Sequence, residues 1–139
     1  MTRDVEYAHL ARRLLAACCD GAIGTALTLL AFFTAAAVLK KGELSAQIAT
    51  LVWFLWFLGN VTYSVGASGQ SWGRRLLGVK VVKADGQPAG FWRILGRNLF
   101  AIHVSFMACF LGFLWVAWGE QRQAWHDKAF GTFVLRTDP

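Results

Sequence analysis

Asp20 is the only charged residue in the apolar stretch Leu14–Leu39 and lies about two helical turns inside it. A carboxylate at that depth in lipid costs at least ~2.5 kcal/mol on insertion scales and therefore requires a partner. Arg13 precedes it by seven residues, which places both on one helical stripe. An acid so placed could bind a cation, relay a proton with Arg97 or His103 as neighbour, or close a buried ion pair that serves assembly alone. His103 has no second His or Cys at metal spacing, so neither a metal nor a cofactor is expected. His126 and Asp127 are adjacent, but no nucleophile accompanies them and sequence neighbours do not face each other on a helix, so no enzymatic activity is expected. The glycine-rich run Gly66–Arg75 lacks the Gly-Lys-Ser/Thr ending and the preceding strand of a phosphate loop, and reads as a hinge. Trp72, Arg74, Arg75 and Trp92 read as interfacial anchors, with guanidinium groups meeting anionic lipid phosphates and indoles at headgroup depth.

The elements that must hold these residues follow from composition. Of 139 residues, 56% are hydrophobic and 16% charged, well below the ~25% charge of ordinary soluble domains. Seven Trp and eleven Phe exclude a solvated coil. The net charge of +6 does not indicate nucleic acid, because the basic residues flank apolar stretches. Those stretches run over 14–39, 46–67 and 94–118, each long enough to span a bilayer. A basic connection, 68–93, and a tail, 119–139, complete a single domain over 1–139. The first stretch is too long for a cleaved signal peptide, and Leu15–Cys18 has no apolar stretch upstream to act as a lipoprotein box. Cys18, Cys19 and Cys109 sit in apolar stretches without paired spacing and are expected to pack in the interior. Ala17, Gly21, Gly24 and Thr28 form a small-residue face suited to close helix contact.

Arg3, Arg12 and Arg13 before the first stretch, and the basic connection after the second, place the N-terminus and residues 68–93 in the cytoplasm, with Lys40 and Lys41 a minor exception outside. The third stretch leaves two readings: a full span, or a re-entrant pair of short helices broken near His103–Ser105 or Gly112. Gly78–Lys83, closed by the Asp85-Gly86 turn signal, reads as a strand, and Thr132–Arg136 as another. A two-stranded hairpin at that turn would be marginal in water, so the tail run is a natural third strand if both lie on one face. The expectation is therefore that 94–118 enters and leaves by the cytoplasmic side and sets Asp127 beside Arg13.

The run Trp72–Gly86, Arg13 with Asp20, and Trp125-His-Asp127 with Gly131–Val134 resemble the RDD membrane family, named for one arginine and two aspartates. By that resemblance Arg13 is the arginine, Asp20 and Asp127 are the aspartates, and Arg97 matches a further common arginine. Ser71-Trp72 replaces the usual Thr-Pro, and Cys18-Cys19 replace a commoner aliphatic pair. The resemblance implies an α-helical integral membrane protein of two to three transmembrane helices. Its implied role is transport, with some members similar to sodium/proton antiporters. The leading expectation is a multi-pass protein of the bacterial inner membrane with a transport or transport-assisting role for a cation or proton. Asp20 would respond to the ion, Arg13 and Arg97 would set its electrostatics, and Asp127 would organise the tail. The alternative is a non-transporting scaffold or anionic-lipid-binding subunit, docked through Arg74 and Arg75. Two or three spans hardly enclose a pathway, so a homo-oligomer or another membrane protein is the expected partner.

Overall fold

A computed structural model describes residues 6–107, 116, 120 and 122–137. The first apolar stretch forms α1 (Leu10–Leu39), a helix of 30 residues. It stops where Lys40 turns left-handed (φ 52°) and donates its N–H to Ala36 O at 3.0 Å. After Lys41 the chain re-enters a continuous rod over Gly42–Ser68. This comprises α2 (Gly42–Trp56), a π-helical stretch (Phe57–Ser64) and α3 (Val65–Ser68). Both rods are long and apolar enough to cross a membrane. Leu30, Phe33, Val38, Leu51, Phe54 and Leu55 point outward and are more than half exposed, an apolar surface that lipid would cover.

The rods meet along a row of α1 that keeps Gly24 of the expected small-residue face but leaves Ala17 and Gly21 off the contact. Ala16, Asp20 and Gly24 are buried, whereas Ala17 and Gly21 are exposed. The i, i+4 spacing holds Asp20 inward between two small residues. A Cβ on Gly24 would lie 2.6 Å from Trp56 Cδ1, and that indole donates to Asp20 O at 3.1 Å. The same rotation turns Cys18 outward and leaves Cys19 half-buried, contrary to the packing role expected of them. Cys109 lies outside the described residues.

The connection is more ordered than a hinge. Gly69, at φ 80°, ends α3, and Ser71 caps the short α4 (Trp72–Leu76). Gly73 is wedged against α1, where a Cβ would strike Ala16 O and lie 3.0 Å from Asp20 N. Next comes β1 (Val79–Lys83). The turn that follows is built as expected, with Gln87 N–H donating to Asp85 Oδ1 and Lys83 N–H to Gln87 O. No strand follows it. The chain instead reaches Gly90, whose N–H donates to Gly66 O at 3.0 Å, and begins α5 (Phe91–Met107).

The strand partner comes from the tail, after α6 (Trp125–Ala129). There β2 (Thr132–Arg136) runs antiparallel to β1, with Val81 opposite Val134 and Val79 opposite Arg136. The tail strand expected as a third strand is thus the direct partner of β1, and a single bridge from Tyr7 to Leu135, with Ala8 N–H to Val134 O at 2.9 Å, adds to its other edge. Val65, Val79, Val81, Ala89, Ile94 and Val134 form a buried cluster between this sheet and the bases of α3 and α5. Alternating valines explain the sheet, because β-branched residues on one face pack into a common core. Helix α5 runs unbroken through His103–Ser105, so no break occurs at that expected position. Gly112 lies outside the described residues. Helix α5 and the tail meet, with Phe100 edge to face against Phe130 at 6.0 Å; the far end of the third apolar stretch lies outside the described residues.

Gly73→Ala is expected to destabilise the protein by about 1–3 kcal/mol, since the obstacle is backbone. Gly21→Ala, with nothing within 4 Å of the added carbon, is expected to be neutral or to stabilise by up to ~1 kcal/mol. Thermal melts of the two variants in one detergent check the contrast.

Candidate functional site

Two carboxylates organise the polar interior. Asp20 accepts hydrogen bonds from Asn60 Nδ2 (2.8 Å) and Gly73 N–H (2.8 Å) at one oxygen, and from the Ser71 hydroxyl at the other. Asn60 reaches it from the π-helical stretch and also accepts the Trp72 N–H at 3.0 Å through its side-chain oxygen. Ser71 and Gly73 bring the start of α4 to the same carboxylate. Partial positive charge at those amides favours an anion there. The glycine-rich run thus cradles an anion belonging to the chain itself.

Asp127 is fully buried, and among the described residues six donor groups surround it. Arg97 contacts Oδ1 through Nε (2.8 Å) and Nη2 (2.6 Å), and Thr132 Oγ1 lies 3.3 Å from the same oxygen. Arg13 Nη1 contacts Oδ2 at 2.9 Å, joined by Ala124 N–H at 3.2 Å, while His126 Nε2 lies 3.6 Å from Oδ1. Arg13 also donates from Nε to Ala8 O, tying the N-terminal segment to the cluster. Burial alone would raise the Asp127 pKa, but Arg97, His126 and Arg13 outweigh it and bring it to about 2. His126 is lowered to about 4, first by burial and then by repulsion from Arg97, against the attraction of Asp127. It is neutral at pH 7.

Arg13, Arg97 and Asp127 therefore come together, and Asp20 forms a separate centre. Neither Arg97 nor His103 is among the hydrogen-bond donors to Asp20. His103 is exposed, with Nδ1 2.7 Å from Leu99 O. Arg74 lies between the centres. Burial lowers its pKa to about 10, repulsion from Arg97 adds to this, and Asp20 and Asp127 oppose it. Arg75 is exposed, as are Trp72 (61%) and Trp92 (79%). Asn60, Ser71 and Gly73 were not singled out from the sequence. An asparagine inside an apolar span was the available signal, since a buried amide needs partners.

Arginine on the first helix and aspartate on the tail share one buried bond, within a frame that also holds the second aspartate. The profile of the RDD family matches residues 7–131. The chain belongs to the RDD family. Its family membership and two apolar rods together mark it as a membrane protein. It is 37% identical over 90 residues to the Proline-rich antigen of Mycobacterium leprae (strain TN), a match covering 60% of this chain and 36% of that protein. It is 38% identical over 89 residues to the Proline-rich antigen homolog of Mycobacterium tuberculosis (strain ATCC 25618 / H37Rv), covering 63% and 34%. The matched region spans about a third of the length of these curated relatives. No solved structure matches significantly.

In this RDD chain Asp127→Ala leaves Arg13 and Arg97 without their shared carboxylate, an expected loss of about 3–5 kcal/mol. The melting temperature of the purified variant checks it. His126 supplies a pH signature. Its folded pKa lies below its unfolded value, so the unfolded chain takes up the proton first as pH falls. Stability is full above about pH 6.5 and is lost progressively toward pH 4, by up to ~3 kcal/mol. The Asp127 contribution, with its pKa also lowered, is present above about pH 4 and is lost toward pH 2. Melts between pH 6.5 and 5 should therefore show a decline that His126→Gln removes.

Proposed function

We propose that this RDD domain is a membrane subunit that holds anionic lipid and partner proteins at a basic, tryptophan-bearing rim, and does not itself conduct cations. The carrying observation is that both carboxylates are occupied by fixed donors. Asp20 is filled by Asn60, Ser71 and Gly73, and Asp127 by two arginines. An ion-binding or proton-relaying acid needs a free oxygen or a pKa near ambient pH. At about 2, Asp127 stays ionised across the physiological range.

The rim consists of Trp72 and Arg75 on α4 with Trp92 at the start of α5, all exposed. Such side chains suit the headgroup layer of the cytoplasmic leaflet, where each basic residue contributes about 1 kcal/mol. In this reading the N-terminus and the β1–β2 layer face the cytoplasm of a bacterial inner membrane, α1 and the second rod span it, and 94–118 re-enters from the same face. Other copies or another membrane protein cover the remaining apolar flanks.

Proteoliposome flux decides between the two roles. Wild type and Asp20→Asn are both expected to give background flux of sodium, potassium and protons, with Asp20→Asn less stable in detergent. Flux by wild type that Asp20→Asn abolishes would overturn the proposal. Nanodiscs test the rim: wild type should melt higher in phosphatidylglycerol than in phosphatidylcholine, and Arg75→Gln or high salt should narrow the gap.

A further inference from the structure

A cavity of about 310 Å³ opens between α1, the π-helical stretch and α5. Leu14, Phe57 and Ile102 line its apolar part, and Arg13, Arg74 and Arg97 its basic part; no carboxylate is among the lining side chains of the described residues. Asp127 neutralises one charge of the Arg13–Arg97 pair. Arg74 has no carboxylate within salt-bridge distance among the described residues, and its guanidinium reaches only Ser71 Oγ, at 3.4 Å. Arg13 Nη2 is buried without a hydrogen-bond partner among those residues. A buried guanidinium nitrogen left unpaired is costly and calls for an acceptor. The planar fork of arginine matches the oxygens of phosphate and carboxylate groups.

The opposite end carries the second half of the chemistry. Leu14 and Ile102 are about half exposed, at 48% and 52%, so the apolar wall continues outward between α1 and α5. Surplus positive charge inside and hydrocarbon at the exit suit a molecule with the same polarity. The volume is at the lower end of ligand pockets, which run from ~300 to ~1,000 Å³. That suits a headgroup and the first part of one chain.

We propose that this cavity binds a single anionic amphiphile, a phosphate oxyanion attached to an acyl chain, with Arg74 and Arg13 as its oxyanion ligands. This deepens the lipid-binding reading above and rests on it, replacing a diffuse rim interaction with one stoichiometric site. The full chain, purified in a neutral detergent, is titrated with lysophosphatidylglycerol, lysophosphatidylcholine and inorganic phosphate, and occupancy is read by native mass spectrometry. One lysophosphatidylglycerol per chain is expected, with lysophosphatidylcholine at least tenfold weaker. Arg74→Gln should weaken lysophosphatidylglycerol at least tenfold, and Arg93→Gln, on the exposed side of α5, should leave it unchanged. Ala101→Phe, which fills the cavity without altering charge, should also abolish binding, with circular dichroism melts confirming that each variant is folded. Unchanged affinity in folded Arg74→Gln and Ala101→Phe would overturn the site. Arg74-dependent binding of inorganic phosphate that displaces the lysolipid would overturn the amphiphile in favour of a free oxyanion. Failure here with the nanodisc difference intact removes the cavity site alone, whereas cation flux removes the non-conducting reading.

Discussion

One carboxylate holds three distant pieces of chain in a single arrangement. Asp127 arrives on the tail, Arg13 on the first helix and Arg97 on the third apolar stretch, and none of the three is more than slightly exposed. A buried ion pair contributes less to stability than its contacts suggest, because desolvation offsets the attraction. Its effect on register is larger. Only one placement of the tail gives Oδ1 to Arg97 and Oδ2 to Arg13 while Thr132, at the start of β2, still reaches the same carboxylate. Fixing Thr132 fixes β2 against β1, and β2 in turn captures Tyr7 and Ala8.

The second carboxylate follows a different logic. Asp20 is stabilised by an amide, a hydroxyl and a backbone N–H, which are neutral donors from two separate elements. Neutral donors can hold a carboxylate inside a low-dielectric contact without a direct ion pair, provided each is aimed by its own backbone. The π-helical stretch presents Asn60, and the cap of α4 presents Ser71 and Gly73. The same short segment leaves Arg74 beside the cavity, so the clasp on Asp20 also sets the geometry of the surplus charge.

Legibility in the sequence followed the physics of each feature. Span length and hydropathy revealed both rods, because lipid imposes a length that composition can meet or fail. The strand pair was readable from alternating valines, and with it the approach of Asp127 to Arg13. The partner of Asp20 was not, since counting charges cannot see a backbone N–H or the rotation of a helix by one row. Ala17 and Gly21 looked like part of the contact face, yet burying Asp20 selected Ala16 beside the expected Gly24. The glycine-rich run looked like a hinge for a similar reason: Gly73 is small because a backbone oxygen of α1 is against it, which only the folded chain reveals. The cavity had no local signature, as its arginines come from α1, α4 and α5.

The separation of Arg13 from Asp127 by 114 positions also imposes a timetable on biosynthesis. At roughly 5–20 residues per second, translation leaves an interval on the order of ten seconds between the appearance of the arginine and that of its acid. The helical hairpin can enter the membrane during that interval, but Arg13 must meanwhile be hydrated or held by lipid phosphate. Strand β1 likewise waits, with one edge open, until β2 is made. The first helices therefore mature as an unlocked precursor, and the closing event waits until Asp127 and β2 have left the ribosome.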